Sequence, residues 1–180
     1  GYDYTRSGNP NFTNLEQTLC VLEGAEHATV FATGMSAITA VISTLSTGDL
    51  VIAEENIYGC TFRIYDEVFA KFGVKIEYCD LTDPANFDRI RNRSPQLVWI
   101  ESPTNPLLKI LDIQAIADEA HSVGAALVVD NTFASPYFQK PLLLGADISL
   151  SSTTKYINGH SDCLGGVVLC RDSAWHEKMV

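Results

Sequence analysis

Short apolar runs rich in β-branched residues recur along this 180-residue chain, and longer amphipathic stretches separate them. This alternation is typical of βαβ units, in which a helix follows each strand. Several runs, such as LVVD (127–130), have no polar face to turn toward water, which favours a mostly parallel sheet covered by helices on both sides. The sequence therefore predicts a three-layer α/β/α fold. The predicted strands are residues 28–32, 49–53, 74–80, 96–101, 126–131, 146–152 and 165–170.

Charge and cysteine content exclude several classes of function. The chain carries 12 Lys and Arg against 22 Asp and Glu, a formal net charge of −10, and it has no basic cluster. Nucleic acids and anionic membranes are therefore not expected partners. No apolar run is long enough to span a membrane, and the opening residues lack a signal-peptide pattern, so we expect a cytoplasmic protein. The five cysteines are scattered and contain no C-x-x-C pair, which predicts free thiols and no metal site.

A glycine follows the first predicted strand, where the chain turns into an apolar helix. In Thr33-Gly34-Met35-Ser36, the free N–H groups and the positive end of the helix dipole favour an anion. Gly34 would also let a phosphate approach the backbone closely. The segment is neither a P-loop nor a G-x-G-x-x-G fingerprint, and such a glycine is more often only a turn residue.

Two charged residues follow later strands at the same edge of the predicted sheet. Asp130 ends an apolar strand, where a carboxylate is costly to desolvate unless a cation or a donor meets it. Lys155 follows the next strand, and partial desolvation there would make its amine nucleophilic. Taken singly, Asp130 is equally typical of a helix cap, and Lys155 of a solvated surface lysine. Asp130, Lys155 and the anion-binding turn at residues 33–36 together match the needs of pyridoxal phosphate. Its aldehyde bonds to a lysine, its pyridine nitrogen needs an acid, and its phosphate needs N–H donors.

Six segments resemble, in order and spacing, the motifs of the Cys/Met-metabolism family of fold-type I pyridoxal-phosphate enzymes. They are YTRSGNP (4–10), ATGMSAI (32–38), YGCT (58–61), ESPTNP (101–106), VVDNTFASPYFQ (128–139) and SSTTKYINGHSD (151–162). The resemblance implies that residues 15–180 form the family's large cofactor-binding domain, and that residues 1–14 form an arm reaching a neighbouring subunit. Members of the family run longer, so their C-terminal small domain is expected to be absent from this chain.

The resemblance also implies roles for residues around the cofactor ring. Lys155 would be the lysine that bonds to the aldehyde and carries protons, and Asp130 would be the partner of the pyridine nitrogen. Tyr58 would stack on the ring. Asn105 would lie near the phenolic oxygen, and Glu101 and Thr132 would be supporting residues.

The phosphate ligands implied by the resemblance come from two chains. One chain contributes Ser152, Thr154 and the backbone of Gly34 and Met35. A neighbouring subunit contributes Tyr4 and Arg6, and a guanidinium suits a phosphate. A site shared in this way implies an obligate homo-oligomer, a tetramer built from dimers in this family.

Three functions follow as hypotheses. The first is a carbon–sulfur lyase of sulfur amino acid metabolism, which performs α,γ-elimination on cystathionine or methionine as in trans-sulfuration and cysteine biosynthesis. The segments YGCT, with Cys60, and NGHSD favour it, and Tyr58 would protonate the leaving thiol. The second is a γ-replacement transferase, either a cystathionine γ-synthase or an O-acylhomoserine sulfhydrylase. The third, a non-catalytic phosphate-binding module, leaves Asp130 and Lys155 unexplained.

Overall fold

A seven-stranded sheet runs through the computed structural model, which describes residues 1–180. Its strands are β1 (His27–Phe31), β2 (Leu50–Glu54), β3 (Lys75–Cys79), β4 (Leu97–Glu101), β5 (Ala126–Asp130), β6 (Ile148–Ser151) and β7 (Gly166–Cys170). Their order across the sheet is β1-β7-β6-β5-β4-β2-β3. All seven predicted strands are confirmed, with boundaries that differ by no more than two residues.

The five strands β3, β2, β4, β5 and β6 are parallel, which confirms a mostly parallel sheet. The exception is β7, which runs antiparallel to β6 on one side and to β1 on the other. Parallel neighbours need a crossover connection, usually a helix. The connection from β6 to β7 contains turns and no helix, so β7 returns in the opposite direction.

Seven helices surround the sheet. They are α1 (Pro10–Glu23), α2 (Gly34–Ile42), α3 (Gly59–Glu67), α4 (Asp88–Arg93), α5 (Ile113–Ser122), α6 (Ser135–Phe138) and α7 (Ser173–Glu177). Three short 3₁₀ helices cover Phe69–Phe72, Pro84–Phe87 and Pro141–Leu144. None of the helices has both the length and the apolar composition that crossing a membrane requires.

Local sequence explains where individual helices begin and end. The Asp112 side chain accepts the N–H of Ala115 and caps α5, as its position predicts. Gly124 follows the end of that helix with a φ of 76°, a conformation that glycine adopts without strain. Asn9 caps α1 in the same way, so only residues 1–9 of the predicted arm precede the first helix.

Two apolar layers, one on each face of the sheet, make up the core. Along β4, Val98 and Ile100 pack on the side of α4 and α5, whereas Leu97 and Trp99 pack on the side of α2 and α3. All four side chains are fully buried. This alternation confirms that the central strands are apolar on both faces because helices cover both.

Candidate active site

A cavity of about 420 Å³ opens at the carboxyl ends of β4, β5 and β6. In open α/β sheets this edge is where ligand sites form. Nine of the eleven predicted site residues line the cavity. They are Gly34, Met35, Tyr58, Asn105, Asp130, Thr132, Ser152, Thr154 and Lys155. The structure therefore brings the carboxylate of Asp130 and the amine of Lys155 to one site.

The N-terminus of α2 forms one wall of the cavity. The backbone N–H groups of Gly34 and Met35 donate to no acceptor in the chain, while the Thr33 hydroxyl accepts the N–H of Ser36 at 3.0 Å. Two free donors at the positive end of a helix favour an anion. Close packing also favours glycine at position 34, because a Cβ there would lie 2.7 Å from the Cβ of Ser152. The turn after β1 and the turn after β6 are therefore in direct contact.

Asp130, the last residue of β5, also lines the cavity and is only 8% exposed. Its carboxylate accepts the N–H of Thr132 at 3.0 Å and the Thr132 hydroxyl at 2.5 Å. The same hydroxyl oxygen accepts the N–H of Ser152 at 2.9 Å, so Thr132 joins the ends of β5 and β6. Burial raises the pKa of Asp130, and the Thr132 hydrogen bonds lower it. Because no cation of the chain pairs with it, a positively charged group in the cavity would be strongly favoured.

Glu101 ends β4 and lies opposite Asp130 in the strand register. It is 4% exposed, lines the cavity, and accepts the N–H of Tyr58 at 2.7 Å and the N–H of Asn105 at 3.3 Å. Burial, and then the proximity of Asp130, raise the pKa of Glu101 to about 8. Sequence reasoning named Glu101 only as a supporting residue, since its two partners belong to distant loops.

Tyr58 precedes the first residue of α3, and its side chain lines the cavity with 39% of its surface exposed. The neighbouring Cys60 side chain, and then partial burial, raise the pKa of Tyr58 above its usual range. The phenol is therefore protonated at neutral pH and can donate a proton.

Lys155 and Thr154 depart from what the sequence predicts. Lys155 is exposed, so burial within this chain does not supply the desolvation that was expected to make its amine nucleophilic. The Thr154 hydroxyl donates to the backbone oxygen of Gly165 at 3.1 Å and accepts the Gly165 N–H at 3.0 Å. Its one O–H is thus occupied, and its role as a phosphate ligand stays a prediction.

Tyr4 and Arg6 lie outside the cavity. Both are exposed, and the guanidinium carbon of Arg6 lies 5.9 Å from the centre of the Tyr4 ring. Arg6 has no carboxylate partner in the chain, which leaves its charge available to an anion elsewhere. The roles of these two residues stay predictions.

A buried polar network beneath the cavity was missed by sequence reasoning. Asn131, which follows Asp130, donates to the Glu23 carboxylate at 3.0 Å and to the backbone oxygen of Gln139 at 2.9 Å. The Gln139 amide donates back to the Asn131 side chain and to the backbone oxygen of Ser102. These contacts tie α1 to the ends of β4 and β5. The sequence signal that could have indicated this network is the polar residues that directly follow β4 and β5, Ser102 and Asn131.

The family model for Cys/Met metabolism PLP-dependent enzymes matches residues 1–180. The chain belongs to this family. The Cys/Met metabolism enzymes depend on pyridoxal phosphate, and the cavity fits that group. The free N–H groups of Gly34 and Met35 suit its phosphate, the unpaired carboxylate of Asp130 suits its pyridine nitrogen, and the amine of Lys155 suits its aldehyde.

Individual members of the family are similar to this chain along nearly all of its length. Cystathionine gamma-lyase of Dictyostelium discoideum is 48% identical over 178 residues, which are 99% of this chain and 46% of that protein. A probable cystathionine gamma-synthase of Herpetosiphon aurantiacus is 44% identical over 179 residues, 99% of this chain and 56% of that protein. The chain thus spans about half the length of the curated relatives it matches.

A solved structure of the family also matches the fold. Cystathionine gamma synthase from Xanthomonas oryzae pv. oryzae, in complex with cystathionine, superimposes with a TM-score of 0.95 at 46% identity. The match covers 99% of this chain and 46% of that one. The predicted fold-type I architecture is therefore confirmed.

Proposed function

We propose that this chain carries the cofactor site of a pyridoxal-phosphate-dependent carbon–sulfur lyase that performs α,γ-elimination on cystathionine or methionine. One observation carries the proposal: the Asp130 carboxylate, the Lys155 amine and the free N–H groups of α2 line the same cavity. An isolated phosphate-binding module would need only the last of these. The names of the relatives support the choice of sulfur amino acid substrates.

The residues that would hold the cofactor follow from the chemistry of the cavity walls. Gly34 and Met35 would bind the phosphate through backbone N–H groups, with the Ser152 side chain beside them and Thr154 joining if its hydroxyl leaves Gly165. Asp130 would bind the protonated pyridine nitrogen, and Thr132 would orient that carboxylate. Tyr58 would stack on the ring, and Asn105 would donate its side-chain amide to the phenolic oxygen.

Pyridoxal phosphate, when bound, supplies an electron sink that stabilises negative charge on the α carbon of the substrate. The Lys155 amine, when not bonded to the cofactor, would accept the α proton of the substrate and then carry a β proton. Tyr58, whose raised pKa keeps its phenol protonated, would supply the proton that the sulfur takes up as it leaves the γ carbon. Asp130 would keep a proton on the ring nitrogen.

We also propose that the site is completed by a second copy. Tyr4 and Arg6 lie outside their own cavity, and a guanidinium without a carboxylate partner suits the phosphate of a neighbouring subunit. The proposed assembly is a homotetramer built from dimers that share sites, located in the cytoplasm. Residues 1–9 and the start of α1 form the arm in this proposal.

A γ-replacement transferase is the second candidate. It uses the same cofactor site, and the similarity to proteins named as cystathionine gamma-synthases favours it. In that reaction a thiol adds at the γ carbon, so a thioether forms where the lyase releases a keto acid.

Two assays test the proposal on the protein expressed with pyridoxal phosphate. Borohydride reduction should fix the cofactor onto the peptide containing Lys155, and Lys155→Ala should abolish this labelling while Lys140→Ala preserves it. Cystathionine, methionine, and an O-acylhomoserine with a thiol are then supplied separately while 2-oxobutanoate and thioether are measured. Keto acid from cystathionine or methionine is the expected result, and thioether without keto acid would favour the transferase. No labelling at Lys155 would refute both.

A further inference from the structure

Glu101 is a buried carboxylate that joins two otherwise separate segments of the cavity wall. One of its oxygens accepts the N–H of Tyr58 at 2.7 Å, and the other accepts the N–H of Asn105 at 3.3 Å. Tyr58 comes from the start of α3 and Asn105 from the loop after β4. A single side chain at the end of β4 therefore holds both.

Neither of the two backbone N–H groups has another acceptor in the chain. Tyr58 also provides no side-chain cap for α3, so the Glu101 carboxylate is the polar contact that orients the start of this helix. Losing it would leave two N–H groups unsatisfied at the rim of the cavity, which is a larger penalty than losing a solvent-exposed hydrogen bond.

The cost of burying this carboxylate indicates that it serves more than packing. Glu101 is 4% exposed, faces Asp130 across the strand register, and has no ion pair with any cation of the chain. Two adjacent buried carboxyl groups are unfavourable, and the two N–H groups that Glu101 accepts offset part of that cost. The N–H donors that Glu101 accepts belong to the two residues proposed to contact the ring from different sides.

We infer that Glu101 is a positioning residue that fixes Tyr58 and Asn105 relative to the cofactor ring. This inference rests on the proposed function, since it concerns the same site. Glu101 need not touch the substrate, because it acts through the two backbone N–H groups.

The chain contains a matched control for this role. Glu54 ends β2 as Glu101 ends β4, is fully buried, and accepts two backbone N–H groups, from Asn56 at 3.2 Å and from Leu81 at 2.7 Å. It does not line the cavity, and the Lys109 ammonium lies 3.6 Å away. A substitution at Glu54 therefore alters the same kind of double acceptor outside the cavity, with the difference that Lys109 pairs with Glu54.

The experiment compares Glu101→Gln with Glu54→Gln in the protein loaded with pyridoxal phosphate. The amide of glutamine keeps one acceptor oxygen and presents an NH₂ group to the other N–H. At a pH above 8, where the wild-type Glu101 is ionised, we expect Glu101→Gln to weaken cofactor binding about tenfold, the order expected from one lost charged hydrogen bond. We also expect it to reduce the visible circular dichroism of each bound cofactor, because the ring is less firmly oriented. Glu54→Gln should leave both quantities at the wild-type value.

Amide hydrogen exchange adds a readout that needs no cofactor. Tyr58 and Asn105 should lose protection in Glu101→Gln, and Asn56 and Leu81 should lose it in Glu54→Gln. Wild-type dichroism and wild-type protection in Glu101→Gln would overturn the inference, as would an equal loss of dichroism in Glu54→Gln. If the wild-type protein showed no visible cofactor band, the proposed function would fail, and the exchange data alone would decide whether Glu101 holds the two segments.

Discussion

Replacing Gly34 by alanine separates two opposing effects at the turn that forms the anion-binding wall. Gly34 is the first residue of α2, and its backbone conformation is open to any residue. Alanine there reduces the conformational freedom of the unfolded chain, which stabilises the fold by about 0.4–1 kcal/mol. However, the new Cβ would lie 2.7 Å from the Ser152 Cβ, 2.8 Å from its hydroxyl oxygen and 3.2 Å from its Cα.

The contact between the new Cβ and the Ser152 backbone decides whether Gly34→Ala stabilises or destabilises the fold. Rotating the Ser152 side chain cannot move its Cα, so the turn after β6 must shift, and overpacking of this kind costs about 1–3 kcal/mol. Gly59 is a matched control, because it is the first residue of α3 and a Cβ there would meet nothing within 4 Å. The entropic gain is common to both variants, so the difference between Gly34→Ala and Gly59→Ala is the overpacking cost of about 1–3 kcal/mol.

Urea unfolding followed by circular dichroism measures this difference. With a typical urea dependence of about 2 kcal/mol per molar, we expect the midpoint of Gly34→Ala to lie about 1 M below that of Gly59→Ala. Cofactor titration should show weaker binding in Gly34→Ala only, because the displaced turn leads directly to Lys155. Equal midpoints for the two variants would refute the steric reasoning.

Three further predictions concern the buried polar groups. Because burial raises the pKa of Glu101 to about 8, the folded chain binds more protons than the unfolded chain between the ordinary glutamate pKa and that value. The free energy of unfolding should therefore fall as pH rises through this window and level off above it. Urea unfolding at a series of pH values measures this decline. The same decline in Glu101→Gln would contradict the prediction. Asp130→Asn should leave stability unchanged or raise it, since a buried charge disappears, while absorbance spectra of the loaded protein should lose the protonated-ring form. Asn131→Ala removes the donor to the buried Glu23 carboxylate, and thermal unfolding should show a loss of about 2–4 kcal/mol.

Much of the fold was predictable because the strands are apolar on both faces. Such runs can only belong to a covered sheet, and parallel strands bring residues that follow them to one edge. That reasoning correctly placed Asp130 and Lys155 beside one cavity. Assigning them to a particular cofactor depended on the resemblance of six motifs, since each residue alone has an ordinary structural explanation.

The remaining features depend on contacts between segments that are distant in the sequence. The direction of β7 follows from a turn-rich connection that has no periodic signature. The contact between Gly34 and Ser152, and the occupation of the Thr154 hydroxyl by Gly165, arise only when three turns meet in space. The two donors to Glu101 likewise come from loops whose approach no local pattern encodes.

The place of β1 at the edge of the sheet has a consequence for the order of folding. Its only neighbour is β7. The strand that leads into the Gly34 turn therefore pairs with residues 166–170, which are far from it in the sequence. Pairings of such long range form slowly, because a large loop must close before any contact is gained. In a refolding experiment, the central parallel strands should therefore gain structure first, and the capacity to capture a phosphate group should appear last.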